Sequence, residues 1–344
     1  MDTASLPGVQ VVGKRASRAD LSQYRRKVSL QVFRAAKKSN NPSAFDPAVR
    51  VLDLSDMHIQ FKTASVDEET PNNCSIRVYN LKDETVNELT RPDIARVVLQ
   101  AGYAESFGVI FDGDIKQFHI GRLSGTDTYV DILAADGDLG YNFAVSNQTL
   151  AAGVDAGQRR DRCIADLAAY GITPGKDLAQ TGGTLPRGKV LFGLSRILMR
   201  NECDAVGATW SIQNGRVNVT PLDGYLPGDA VVLTAATGLI GIPEQTENGI
   251  EARCLLNPRI IAGQRVRIDN KSINRTLTAG GALEGLPFNR SSVTQPQRLA
   301  TVRDDGEYRV LVADHEGDTR GQPWYTNITC LAIDPSIGKV KAGA

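Results

Sequence analysis

The 344-residue chain has no apolar run approaching the ~20 residues needed to cross a bilayer. Its start, MDTASLPGVQVVGKR, lacks a charged opening followed by an apolar segment, so no secretory signal is expected. Neither sign of charge is in excess: 39 Lys and Arg balance 39 Asp and Glu. That balance argues against a dedicated nucleic-acid binder. Five cysteines (Cys74, Cys163, Cys203, Cys254 and Cys330) are scattered, odd in number and without a zinc-type Cys-x-x-Cys pair. They read as small buried hydrophobes of a protein made in a reducing cytosol. His58, His119 and His315 are isolated, so no histidine metal cluster is expected.

Catalytic patterns are missing as well. There is no G-x-S-x-G, no H-E-x-x-H and no Cys/His nucleophile context. The segment GTLPRGKV (183–190) has phosphate-loop spacing, but Val190 stands where a magnesium-binding hydroxyl belongs, and no apolar strand leads into it. Asp314, His315, Glu316 and Asp318 gather acids around one imidazole, the parts of a metal or acid/base site. No second histidine is near, and the group follows a strand, where solvated turn residues are expected. Glu244, Glu247 and Glu251 supply carboxylates of the kind a glycosidase uses, yet that mechanism needs a set separation and one raised pKa. The expectation is no catalytic residue, no cofactor and no bound metal.

What is present is an ordinary globular composition, 41% hydrophobic and 23% charged, over a length suited to two or three domains. Residues 1–23 read as an arm: nine basic residues from Lys14 to Lys38 face one acid, Asp20. Residues 24–150 read as a β-rich domain. Val28, Leu30 and Val32 alternate with polar neighbours, and further strands fall at 58–62, 76–78, 95–99, 109–111 and 129–133, broken by glycines. A short helix is expected over 82–89. Residues 151–229 read as a small α/β domain. Cys163, Ile164, Leu167 and Ala168 recur at helical spacing before Gly171; a Gly- and Pro-rich loop spans 171–188; Val190, Leu191, Leu194, Ile197 and Leu198 form a second apolar stripe. Trp210 and Ile212, then Val217 and Val219, flank Asn214-Gly215 as a hairpin. Residues 230–334 read as a second β domain interrupted by a long loop, 271–305, with a plain tail at 335–344. Within it, Asn257-Pro258 offers a cap and a first helical turn.

The two β regions echo each other. SIRVYNL (75–81) corresponds to EARCLLN (251–257), ARVVLQAGY (95–103) to GQRVRIDN (263–270), and YVDILAADG (129–137) to YTNITCLAID (325–334).

Three stretches also carry a family resemblance: GLIGIPEQTENGIEARCLLNPRIIAGQRVRIDN (238–270), SIRVYNLKDET (75–85) and DHEGDTRGQPWYTNITCLAID (314–334). Matching in order, they resemble the baseplate hub proteins of contractile-tailed phages, the late-control protein D group, over most of 24–334. The resemblance implies a mainly β, α+β chain in which two tail-tube-like β-barrel domains flank the small α/β domain. It implies a non-enzymatic homotrimer in the virion tail baseplate, assembled in the host cytoplasm. Its ring would join a six-fold tube to a three-fold spike as a symmetry adapter during genome ejection. The implied partners are the tail tube protein, the central spike, baseplate wedge proteins and the tape measure protein. Genomic DNA would only pass through the channel, and no membrane insertion is implied. A tail-associated peptidoglycan hydrolase and the hub of a phage-tail-like injection particle are the alternatives.

Overall fold

The computed structural model describes residues 25–35, 45–179, 182–246, 249–268, 273 and 306–332. The expected arm (1–23), the tail (335–344) and the 271–305 loop apart from Ile273 lie outside the described residues.

The first run of strands is β1 (Arg26–Ala35), β2 (Phe45–Asp53), β3 (Ile59–Val66), β4 (Asn73–Tyr79), β5 (Ile94–Tyr103), β6 (Ser106–Arg122) and β7 (Thr128–Ala135). Helix α1 (Asp83–Leu89) bridges β4 and β5. Alternation is plain in β4, where Cys74, Ile76 and Val78 are buried and Asn73 and Ser75 are exposed. These inward rows build one core with Leu30, Val32, Phe61, Val97, Leu99 and Ile132.

The middle of the chain forms a second core. Helix α2 (Asp138–Phe143) and β8 (Val145–Leu150) lead into α3 (Ala156–Ala168), β9 (Thr173–Asp177), β10 (Lys189–Leu194), α4 (Ser195–Asp204), β11 (Ala208–Gln213) and β12 (Arg216–Pro221). Asp155 caps α3 in a reciprocal box with Gln158, as a short polar side chain at a helix start favours. Its apolar stripe, Cys163, Ile164 and Leu167, packs on Leu191, Met199, Trp210 and Val219. Asn214 and Gly215 take φ values of 52° and 72°, the left-handed pair that a two-residue hairpin turn requires.

Four local expectations give way here. Residues 145–150 were expected with the first β region, but β8 pairs with β10 and delivers Ala144 and Leu150 to the middle core. The loop expected at 171–188 contains β9, which pairs in parallel with β12; TPGKD has no apolar pattern to reveal it. The stripe expected over 190–198 is split between strand β10 and helix α4, and only Leu191 of its strand part is buried. Asn257-Pro258 makes a turn, not a helix, with the Asn257 side chain accepting the Arg259 amide at 3.0 Å.

The second run comprises β13 (Leu226–Leu233), β14 (Leu239–Gln245), β15 (Ile250–Leu255), β16 (Gln264–Ile268), β17 (Glu307–Asp318) and β18 (Trp324–Ala332). Its core gathers Leu233, Ile250, Val266, Tyr308, Val310 and Ile328. The strands lie in the order β14-β15-β18-β17-β16-β13, and the first run lies in the order β3-β4-β7-β6-β5-β1. Place for place these are the same, and each echoing segment of sequence falls on the corresponding strand. Two differences stand out. β1 runs antiparallel to β5 whereas β13 runs parallel to β16, and among the described residues the first run has an additional outer strand, β2.

The two runs are one sheet of thirteen strands, joined where β3 pairs with β17 from Gln60↔Asp318 to Val66↔Val312. β17 serves both sides: its first residues pair with β16, and from Val312 onward it pairs with β3. At the end of the seam the buried Arg309 guanidinium is paired with Asp67. It also donates to the carbonyls of Pro221, Leu222 and Gly224 at 3.1, 3.0 and 3.0 Å. Ser211 donates to the other Asp67 oxygen at 3.2 Å, so this pair ties both runs to the middle core. Asn72 donates to the Ile212 carbonyl at 2.9 Å, and the Gly215 amide donates to Asp136 at 2.9 Å. Burial pushes the Asp136 carboxyl up to about 7 against the opposing pull of that amide.

Two outcomes follow. Arg309→Met should destabilise the chain by roughly 3–5 kcal/mol in denaturant titration, because Asp67 would remain buried without its cation. Joining it to Asp67→Asn should recover most of that loss; a single-variant loss below about 1 kcal/mol would contradict the assignment. All five cysteines are free and buried, and burial pushes the Cys163, Cys203 and Cys254 thiols up to about 12. Native protein at pH 8 should therefore react slowly with a thiol reagent, and denatured protein without reductant should titrate all five; a protected pair would refute this.

Candidate assembly surface

Because paired residues share a face, the ladder registers define rows that cross the seam. One runs Gln117–Leu133–Ser75–Lys62–Glu316–Tyr325–Leu255, over seven strands from β6 to β15. A neighbouring row runs His119–Asp131–Arg77–Gln60–Asp318. The side chains behind these rows, such as Ile76, Ile132, Phe61 and Ile328, are buried. The front is a polar face shared by both runs.

Charge on this face alternates. Arg77 grips Asp131 through two hydrogen bonds of 2.6 and 2.9 Å and lies over the Tyr129 ring at 4.1 Å. Lys62 sits directly opposite Glu316. Asp318 accepts from Gln60 at 2.7 Å and from the Arg320 and Gly321 amides at 2.8 Å, and meets the His58 ring at 2.8 Å. Burial works against its charge, but those backbone and side-chain bonds prevail and hold its carboxyl below the usual range. A shallow cavity of about 310 Å³ lies over the seam between Lys62, Arg77, Asp131 and Glu316. Such a face offers hydrogen bonds and paired charges.

The acidic group around His315 is not a turn cluster: Asp314, His315, Glu316 and Asp318 all belong to β17. Alternation sends His315 into the core, 2% exposed, while Asp314 and Glu316 face outward. Its Nδ1 meets Thr326 Oγ1 at 2.9 Å, and burial pulls its pKa down to about 4 against a hydrogen bond with the Ile260 backbone. Burial also raises the Asp314 carboxyl, offset in part by Lys62. The imidazole and the outward carboxylates are therefore on opposite faces. Glu244 and Glu251 oppose each other across β14–β15 on an exposed face, and Glu247 lies outside the described residues. In 183–190 the lysine is committed elsewhere: Lys189 and Arg159 both bind Glu202. Burial opposes the Glu202 charge, but those two partners outweigh it and hold the carboxyl below its usual range. Lys189 opens a strand, where a phosphate loop would open a helix. Among the described residues no group of three or more His, Cys, Asp or Glu could hold a metal ion, and no helix is long and apolar enough to cross a membrane.

Sequence reasoning missed the Asp67–Arg309 junction, since 242 residues separate the partners. It also missed an apolar patch on the β8–β10 sheet, where Val190 and Phe192 are 64% and 72% exposed.

No protein-family model and no curated protein sequence matches the chain. Solved structures do. The 43 kDa tail protein of prophage MuSo2 from Shewanella oneidensis aligns over 89% of this chain and 97% of its own, with a TM-score of 0.53 and 7% identity. A tail protein from Neisseria meningitidis MC58 aligns over 89% and 96%, with a TM-score of 0.51 and 9% identity. The fold is that of a phage tail protein. A further structure with this tail-protein fold is the E. coli c3393 protein, described as a component of the type VI secretion system similar to the T4 tail proteins gp27 and gp5. It aligns over 82% of this chain and 75% of its own, with a TM-score of 0.52 and 9% identity.

In this tail-protein fold His315 is a pH-dependent element. Its folded pKa, about 4, lies below the unfolded value near 6.5, so the unfolded chain takes up the proton first and the contribution of His315 to stability falls as pH drops through that window. The loss should reach roughly 2 kcal/mol between pH 7 and pH 5. The raised Asp136 carboxyl acts in the opposite sense over the same window, so the readout is the difference between the two chains: His315→Asn should remove the acid-side loss relative to the unaltered protein in denaturant titrations, and an unchanged slope would contradict the assignment.

Proposed function

We propose that this chain is a structural hub of a phage tail: a homotrimer whose two β regions, each a tube-like barrel domain, alternate around a pseudo-six-fold ring. The repeated strand order is the observation that carries the reading. Three chains with two like halves present six like faces, so one ring mates with a six-fold tube on one side and a three-fold spike on the other. Fusion of the halves through β3–β17 holds consecutive faces in fixed orientation. The balanced polar face across that seam suits a channel that passes DNA without gripping it, since counterion-releasing contacts need clustered cations. The middle α/β unit, with its apolar β8–β10 patch, is left for wedge components, and the tape measure protein would meet the channel. Function on this reading lies in complementary surfaces in the virion baseplate, without catalysis.

The likeness to a type VI secretion component supports a second reading, the hub of an injection particle; imaging of the intact particle that carries this chain separates the two. A peptidoglycan hydrolase draws no such support.

The purified chain should run as a trimer in light scattering and leave bacterial cell walls intact. A six-copy ring or a monomer at assembly concentrations would overturn the adapter reading. Reproducible lysis lost in Glu244→Gln or Glu251→Gln would overturn the non-enzymatic one.

A further inference from the structure

Among the described residues the strand repeat is one strand short in its second run. β1 carries β2 on the edge away from β5, whereas its counterpart β13 pairs only with β16 among the described residues. The Val232 carbonyl already accepts from the Thr237 hydroxyl at 2.7 Å; a strand edge otherwise presents backbone donors and acceptors to whatever lies beside it. Beside β13 lies a groove of about 570 Å³, bounded by 230–233, by 105–109 of the β5–β6 turn and by 254–259. Four consecutive β13 residues border it, so both side-chain parities do, as happens along a strand's edge and not over one face. Val232 in this stretch is 47% exposed.

The described chain begins at the same place. Arg26 opposes Tyr103 in the first rung of the β1–β5 ladder, and Tyr103 lines the groove. Arg26 is anchored there by bonds of 2.7 and 3.0 Å to the Gly321 and Gln322 carbonyls. Arg25 adopts φ 61°, a turn immediately before the strand. The segment preceding it therefore starts from the groove's lip. That segment contains Gly8-Val9-Gln10-Val11-Val12-Gly13, a short β-favouring run bounded by glycines and followed by Lys14 and Arg15. Four extended residues span ~13 Å, the length of the four-residue edge that lines the groove. Twelve linking residues reach up to ~40 Å, ample for the return. Glu105 on the groove wall provides an acidic partner for the basic residues that follow.

We propose that Val9 to Val12 of the chain's own N-terminal segment occupy this groove and add to the edge of β13, as β2 adds to β1. The inference does not depend on the trimeric reading.

Amide hydrogen exchange on the full chain tests it, comparing the unaltered protein with a Val9→Asp/Val11→Asp variant. Exchange at 230–233 should quicken at least tenfold in the variant, with the β3–β17 seam unchanged, and a peptide of residues 6–15 added in excess should slow it again. Equal exchange in the two proteins overturns the proposal. Protection at 230–233 that fades on dilution also overturns it, because a second copy would then be the occupant. Should the double variant fail to fold, Val11→Cys with Val232→Cys keeps the question open to measurement. Mild oxidation should form a cross-link within one chain, and its absence, or a cross-link between chains, overturns the assignment.

Discussion

Strand β17 has two edges and three partners, and the architecture follows from how it divides them. β18 takes one edge along nearly its full length, while β16 and β3 share the other in succession. The transfer falls beside an irregularity at Val310/Val312, where β17 and β18 slip register. Arg309 sits next to this point, and its donors reach one carboxylate and three carbonyls on different parts of the chain. A buried ion pair is weak evidence for stability in itself, because desolvation offsets much of its attraction. Its geometry is the informative part. A planar guanidinium satisfied by four fixed acceptors permits one relative arrangement of two sheet halves and a helical unit.

The sequence made the periodic parts legible. The hairpin around Asn214-Gly215 could be read because the turn demands left-handed backbone and the flanking residues alternate. The echo between 75–81 and 251–257 could be read because corresponding strands must bury the same face. Where periodicity and burial part company, the reading failed. Val190 belongs to the expected apolar stripe and is exposed; Thr173–Asp177 falls in the expected loop and is a strand held by its neighbour; the buried Asp67, Arg309 and Asp136 are not singled out at all. Each of these depends on partners far away in sequence, which no local pattern encodes. His315 shows the mixed case. Its residue type suggested chemistry, but its parity on β17 put it in the core, away from the carboxylates beside it in sequence.

The comparisons fit this division. Identities of 7–9% coexist with alignment over more than four fifths of the chain. Inward alternation, turn residues and total core volume can be kept by many sequences, so the fold outlasts the identities of its residues.

The seam also imposes an order on synthesis. β3 is complete by Val66, yet the strand that covers its free edge begins at Glu307, and the ion pair closing the seam spans 242 residues. At ~5–20 residues per second, a ribosome needs roughly 10–50 s to make the intervening chain. For that interval the nascent first half holds an uncovered strand edge, the hazard that leads to mispairing between chains. Lys62, outward-facing midway along β3, places a charge on that waiting edge; in the finished molecule the same lysine stands opposite Glu316. One side chain thus guards a vulnerable intermediate and then marks the site where the closing strand must register.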